Sequence, residues 1–358
     1  MVAEGGSHAS RPSLGRWTVT PSVSVRIPPC VSVPELGRVA QKCEALGYTG
    51  VWFPDSQLLW RDPYLAAAQA LLQTSSLTVG IAVSTVATRH VSVVAGLHRT
   101  LAELAPDRFR LGLGTGSSAT GTVGLPQSRT AEVRAAVEAI RRLGAGESHD
   151  FGVGPVRQVG NVPISGLYLA ATGPRNLALA GELADGVLML NGADQAALQA
   201  SLRAVEAGES RRPVGLRPLR RTVTSFCLPT VAPERDARRL KPLCVAMAQQ
   251  LGGGSALASA GVRVSDEPPS RPVYPDLVHA EDWDSAVEAV DHLVSDEDAL
   301  VFARRFCFFG GLDEIRQQLR SLRDCGISEV MLQHVGSFQI PFEWLEQCAE
   351  LNDDARRG

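Results

Sequence analysis

The chain has 358 residues, 44% of them hydrophobic and 20% charged, the make-up of an ordinary globular protein. At roughly 150 residues per domain this length suits two domains, and it suits one large α/β barrel equally well. Lys plus Arg is 35 against 38 for Asp plus Glu, a net charge of −3, and aromatics are only 5%. These numbers exclude a chain-wide electrostatic commitment to nucleic acid or to an anionic membrane, and they leave no stacking platform for single strands.

The seven cysteines form no CxxC pair and no zinc-finger spacing with His, so neither a disulfide framework nor a metal site is indicated. Reduced thiols and an N-terminus without an apolar core segment point to a cytoplasmic protein. Residues 1–21 read as a flexible arm and 353–358 as a tail. Pro63 to Thr88 runs for 26 residues without a charge, but its centre is Gln73-Thr74-Ser75-Ser76, so it reads as helix, turn and buried strand rather than a membrane span.

In chain order, Ser22–Ile27 is a short β-rich run. Leu36, Val39, Ala40, Cys43 and Leu46 then share one helical face, closed by Gly47. Gly50–Phe53 is a second strand, Pro63–Gln73 a helix, and Leu77–Val83 a strand apolar on both faces, as in a parallel sheet. A helix marked by Val94, Leu97, Leu101 and Leu104 precedes strand Arg108–Leu113. After an amphipathic stripe at Val133, Val137, Ile140 and Leu143 come strand Leu167–Ala170, helix Pro174–Ala184, strand Gly186–Leu190, helix Asp194–Glu206 and strand Arg221–Leu228. Strand Glu329–His334 is the last, behind a helix with Leu312, Ile315, Leu319 and Leu322 on its apolar face. Eight strands separated by helices imply right-handed parallel crossovers closing a (β/α)8 TIM barrel over residues 22–352. Residues 232–304 are an insertion after the seventh strand, the usual place for a lid or wall of a substrate site.

Barrel active sites lie at the carboxyl ends of the strands. Those ends include Pro54-Asp55-Ser56, Ser84-Thr85, Gly114-Thr115-Gly116-Ser117, Ala171-Thr172-Gly173-Pro174-Arg175 and His334-Val335-Gly336. They are rich in Gly, Ser and Thr, with few carboxylates and no His cluster, so they suit a polar ligand held by backbone amides rather than a metal. Thr172-Gly173-Pro174-Arg175 opens a helix whose free N–H groups would bind an anion, and Arg175 in that first turn opposes the helix dipole unless an anion is there. An ordinary capped helix with a solvated arginine reads equally well. Gly112-Leu113-Gly114-Thr115-Gly116-Ser117 lacks the third glycine of a dinucleotide fingerprint and does not fit one.

Asp55 could accept a hydrogen bond from a ring N–H, or simply cap the next helix. His90 reads as a cap. Trp60 and His279, the latter inside the insertion, are candidate pocket residues. Arg211, Arg212, Arg217, Arg220 and Arg221 precede the seventh strand, hence lie on the opposite barrel face, where a solvated surface is expected.

Five blocks in order resemble the luciferase-like flavin and deazaflavin oxidoreductases, in particular the methylenetetrahydromethanopterin reductase-like branch. They are Gly47–Tyr64, Leu77–His90, Arg108–Leu125, Tyr168–Leu188 and Arg305–Gly311. The resemblance implies coenzyme F-420, or alternatively FMN, across the barrel mouth, with its phosphate at Ala171, Thr172, Gly173, Pro174 and Arg175. It implies a non-prolyl cis peptide at Ala82-Val83 behind the ring, and contacts from Asp55, Ser56, Gly114, Thr115, Gly116 and Ser117. Where the family usually carries Asp-His this chain has Asp55-Ser56, and Ser117 stands where Asp is often found. Asp55, His279 and His334 remain as candidates for proton transfer, with Trp60 and His279 lining the substrate pocket. Three activities follow: hydride exchange between F-420 and a small organic substrate, an FMN-dependent monooxygenase served by a separate flavin reductase, or a non-redox barrel for a phosphorylated ligand. The resemblance also implies a homodimer; no nucleic-acid or membrane partner is expected.

Overall fold

The computed structural model describes residues 21–160, 164–190, 192–250 and 252–352. The arm at residues 1–20 and the tail at 353–358 lie outside the described residues. The elements in order are β1 (Ser22–Arg26), α1 (Val33–Ala45), β2 (Gly50–Phe53), α2 (Pro63–Gln73), β3 (Thr78–Ser84), α3 (Val91–Leu104) and β4 (Phe109–Leu113). The short α4 (Ser118–Gly121), α5 (Thr130–Gly144) and a two-rung hairpin of β5 (His149–Asp150) and β6 (Pro155–Val156) follow. Then come β7 (Leu167–Ala171), α6 (Pro174–Leu183), β8 (Gly186–Met189), α7 (Gln195–Glu209) and β9 (Arg220–Pro229). The insertion supplies α8 (Pro233–Asp236), α9 (Lys241–Ala248), α10 (Gly253–Ser259), α11 (Trp283–Val290) and α12 (Asp296–Phe306). The chain ends with β10 (Phe308–Gly310), α13 (Leu312–Arg323), β11 (Glu329–Gln333) and α14 (Phe342–Ala349).

Eight of these strands pair in parallel in the order β1-β2-β3-β4-β7-β8-β9-β11, and β11 returns to β1 in register Ser22↔Glu329 to Arg26↔Gln333. The sheet is therefore closed, a (β/α)8 barrel. Each of the eight expected strands is present to within two residues. The sequence reading missed β10, which pairs only with the far end of β9 at Cys227, Leu228 and Pro229, and the β5–β6 hairpin. The charge-free stretch from Pro63 resolves into α2, a turn and β3; among the described residues no helix is long and apolar enough to cross a membrane.

The main core lies between barrel wall and helices, where outward residues such as Val23, Val25, Ile27, Val330 and Leu332 meet Leu36, Ile315, Trp344 and Leu345. A second cluster sits inside the barrel: Trp52, Ala82, Tyr168, Leu188 and Met331, with Trp52 edge-on to Tyr168 at 5.4 Å. The two rings fit because the neighbouring strands carry glycine. A Cβ on Gly80 would stand 2.1 Å from Trp52, and one on Gly186 would stand 2.1 Å from Tyr168. The lumen is thus packed below its carboxyl-end mouth. The insertion builds a third cluster with Leu240, Leu243, Cys244, Phe302 and Phe309. Buried Lys241 pins it, its ammonium 2.7 Å from both Asp291 and Asp296.

Of the arginines expected on a solvated face, Arg211, Arg217 and Arg220 are exposed, Arg212 is half-buried and Arg221 is the exception. Arg221 is buried rather than solvated, its guanidinium 2.7 Å from Glu209, and Arg212 donates to the Gly181 carbonyl at 3.0 Å. They fasten α7 and the β9 entry to the barrel.

Candidate active site

Four adjacent strands, β2, β3, β4 and β7, bring the predicted cofactor residues into one arc of the mouth. Asp55 follows β2 and is buried. Its Oδ2 accepts from Ser84 Oγ at 2.7 Å and pairs with Arg89, which also donates to Asp62 at 2.8 Å. Asp55 does not cap α2; Asp62 does, accepting from the Tyr64 and Leu65 amides. Burial works against the Arg89 charge, but the hydrogen bond and field of Asp55 outweigh it and hold its pKa above the ordinary value. Asp55 Oδ1 is buried and has no hydrogen-bond partner among the described residues. A buried carboxylate oxygen without a donor is costly, so this atom is a ready acceptor for a ligand N–H or O–H.

The Ala82-Val83 peptide is cis, and the β3–β4 register shifts between Ile81 and Ser84, so the chain bulges there. Gly114 lies against the bulge, since a Cβ on it would come 2.7 Å from Val83 Cγ2 and 3.8 Å from Ala170. Gly116 has φ of 81°, a left-handed turn next to Thr85 and Thr120. Ser56 Oγ is 2.6 Å from Ser118 Oγ and Gln57 donates to the Ala119 carbonyl at 2.8 Å, stitching the β2 loop to the β4 loop. Thr115 holds the loop's return through the Ser128 amide at 2.7 Å, while Ser117 is exposed at the start of α4.

After β7, Ala171 is buried and Thr172, Gly173, Pro174 and Arg175 are exposed. Gly173 is the N-cap of α6 with no side-chain cap, and a Cβ there would meet nothing within 4 Å among the described residues. The first-turn amides therefore face open space, with Arg175 beside them. His90 caps α3 as the sequence suggests, accepting from the Ser92 amide at 3.3 Å.

Trp60 and His279 meet edge to face with ring centroids 5.4 Å apart, so the insertion does reach the mouth. Trp60 Nε1 donates to the Ser337 carbonyl at 2.9 Å. Sequence reasoning missed Asp276, three residues before His279. Its carboxylate oxygens both lie 3.0 Å from His279 Nδ1, and Oδ1 also accepts the Val278 and His279 amides at 2.8 Å. Burial raises the Asp276 pKa, but these hydrogen bonds and the His279 charge bring it below its ordinary value.

His334 is not brought together with these groups. Alternation along β11 turns Met331 and Gln333 into the lumen, so His334 faces the helix layer, 5.4 Å from the Trp344 ring. Burial, aided by Arg239, holds its pKa down to about 4. A neutral imidazole outside the wall is not placed to serve the mouth. Sequence reasoning also missed Arg26, which enters the lumen from β1 and donates to the Ala82 carbonyl and to Gln333 Oε1, both at 3.3 Å. The alternation in Ser22–Ile27, with Ser24 and Arg26 on the face opposite the valines, is the signal that could have revealed it.

Residues 13–329 match the family model described as luciferase-like monooxygenase. The chain belongs to this family. It is 29% identical over 226 residues to a 5,10-methylenetetrahydromethanopterin reductase of Methanolobus tindarius, covering 60% of this chain and 66% of that protein. It is 33% identical over 171 residues to an F-420-dependent glucose-6-phosphate dehydrogenase of Beutenbergia cavernae, covering 42% and 50% of the two chains. The chain thus spans between half and two thirds of the length of these relatives. A solved structure of a coenzyme F-420-dependent tetrahydromethanopterin reductase from Methanopyrus kandleri superposes with a TM-score of 0.68 at 17% identity, over 93% of this chain and 97% of that one, a likeness of fold.

Proposed function

We propose that this protein is an oxidoreductase that exchanges a hydride between the deazaflavin coenzyme F-420 and a small organic substrate. The observation that carries the reading is the arc itself. An uncapped helix start at Gly173 and Pro174, a bulge at Ala82-Val83 backed by Gly114, and an orphaned carboxylate oxygen on Asp55 lie on four neighbouring strands. They fit, in turn, an anionic tail, the face of a planar ring and a polar ring edge. The matched relatives named for F-420 support the choice of cofactor.

The bound cofactor would supply the hydride chemistry. The chain's own residues divide the remaining work. The α6 amides and Arg175 hold the negative tail; Asp55, paired with Arg89, orients the ring edge; Gly114, Thr115, Gly116, Ser117 and Ser56 line the floor. Trp60 and the insertion cover the mouth and exclude water. His279 is the proton donor, its Nε2 free of hydrogen bonds among the described residues while Asp276 fixes its Nδ1 side. A second copy of the chain and a separate enzyme that regenerates the reduced cofactor are the proposed partners.

The family's own description favours a second reading, a monooxygenase that receives reduced FMN. Rapid mixing with oxygen separates the two. On the F-420 reading the protein leaves the oxidation rate of added reduced FMN unchanged. A protein-dependent, long-lived oxygenated flavin absorbance would overturn it in favour of the monooxygenase.

A further inference from the structure

Beside the cofactor arc, and touching it at the Ala82 carbonyl, lies a cation that forms no ion pair among the described residues. Arg26 lies at the carboxyl end of β1, directed inward, between the Ala82 carbonyl and Gln333 Oε1 at 3.3 Å each. Gln333 is itself fixed, its Nε2 donating to Thr224 Oγ1 at 2.6 Å, so that its oxygen is the end shown to Arg26. Both partners are neutral, and among the described residues Arg26 forms no ion pair. The contrast with Arg89, which has Asp55 and Asp62, is direct. Glu329, a carboxylate lower in the lumen, is engaged by Ser24 and Trp52. Burial lowers the Arg26 pKa to about 10, which leaves it charged at neutral pH.

Two of the five guanidinium N–H groups are used by these long bonds, and the other three have no acceptor among the described residues. The guanidinium sits 5.8 Å from the Trp60 ring, which continues to Phe338 and His279 and forms an apolar wall beside it. We propose that Arg26 anchors the substrate and that the substrate is a small organic carboxylate, its oxygens on the guanidinium and its carbon skeleton along Trp60 towards His279. A planar, singly charged, two-oxygen group matches one guanidinium edge. A phosphate would bring a second negative charge to a pocket whose other partners are neutral. This inference rests on the functional reading above, because it needs the neighbouring arc to hold the cofactor.

The test titrates the full-length protein, without added cofactor, with benzoate and with its uncharged isostere benzamide, by calorimetry. The wild type should bind benzoate at least about tenfold more tightly than benzamide, and Arg26→Gln should abolish that preference. Arg26→Lys should keep part of it. Both variants should still bind F-420 and unfold cooperatively, with a lower melting temperature in Arg26→Gln, which leaves the Ala82 and Gln333 oxygens without their donor. Equal binding of the two probes to the wild type, no benzoate binding, or an undiminished preference in Arg26→Gln would each overturn the proposal. Loss of F-420 affinity in Arg26→Gln would overturn it too, by moving Arg26 into the cofactor cradle. Should Arg26→Gln fail to fold, the wild-type comparison and Arg26→Lys decide. Wild-type protein that prefers benzoate but does not bind F-420 would refute the cofactor reading alone.

Discussion

Gly173→Val separates binding from folding at the start of α6. Gly173 has φ of −82° and ψ of 150°, a conformation valine adopts readily, and its added Cβ would meet nothing within 4 Å among the described residues. Valine is a poorer N-cap than glycine, a cost of about 0.5–1 kcal/mol. Reduced freedom of the unfolded chain returns about 0.4–1 kcal/mol, so the net effect on stability is close to zero. The branched side chain would nonetheless stand over the first-turn amides. Losing a charge-assisted bond from an amide to an anion costs about 1.5–3 kcal/mol, and displacement from the helix dipole about another 0.3–1 kcal/mol. The sum of about 2–4 kcal/mol corresponds to a rise in Kd of roughly 30-fold to several hundred-fold. Fluorescence titration with F-420 and a thermal melt read the two quantities. An unchanged Kd with an unchanged melt would refute the placement of the anion at this helix; a collapsed melt would refute the claim that the space is open.

Gly114→Ala should destabilise by about 1–3 kcal/mol and weaken cofactor binding, because its Cβ would stand 2.7 Å from Val83 Cγ2 on the bulge; an unaltered melt and titration would contradict this. Asp55→Asn leaves Arg89 with Asp62 as its only carboxylate, and should cost about 2–3 kcal/mol in urea unfolding; a change under about 0.5 kcal/mol would contradict the buried pairing. Burial holds both His98 and His334 at a pKa of about 4, below the ordinary ~6.5. The unfolded chain then binds more protons between those values, so stability is full above about pH 6.5 and falls as pH drops towards 4. His98→Gln should flatten the decline in unfolding free energy between about pH 7 and 5; an identical slope would show that His98 protonates freely in the folded state.

The eight barrel strands were legible because each is a short apolar run bounded by turn residues and followed by a helix with its own 3.6-residue stripe. Their carboxyl ends then named the residues proposed for the cofactor, since a barrel assigns those loops to one face. What was hidden follows from the same physics. Barrel strands are buried on both sides, so Glu329–Gln333 shows no polar alternation, and the outward direction of His334 could not be read from it. β10 has three residues and pairs with a strand end, too little for any period. Asp276 lies in a Pro-rich insertion whose fold depends on packing against Trp60 and α11 rather than on local pattern. Arg26 was missed although it is the single charge in an otherwise uncharged strand, because its partners, Ala82 and Gln333, lie 56 and 307 residues further along the chain.

The most direct test of the account is a side-by-side titration of the purified protein with F-420 and with FMN, each oxidised and reduced. Selective binding of F-420, weakened by Gly173→Val and retained by Arg26→Gln, is the predicted result. Selective binding of reduced FMN, or of neither cofactor, would contradict it.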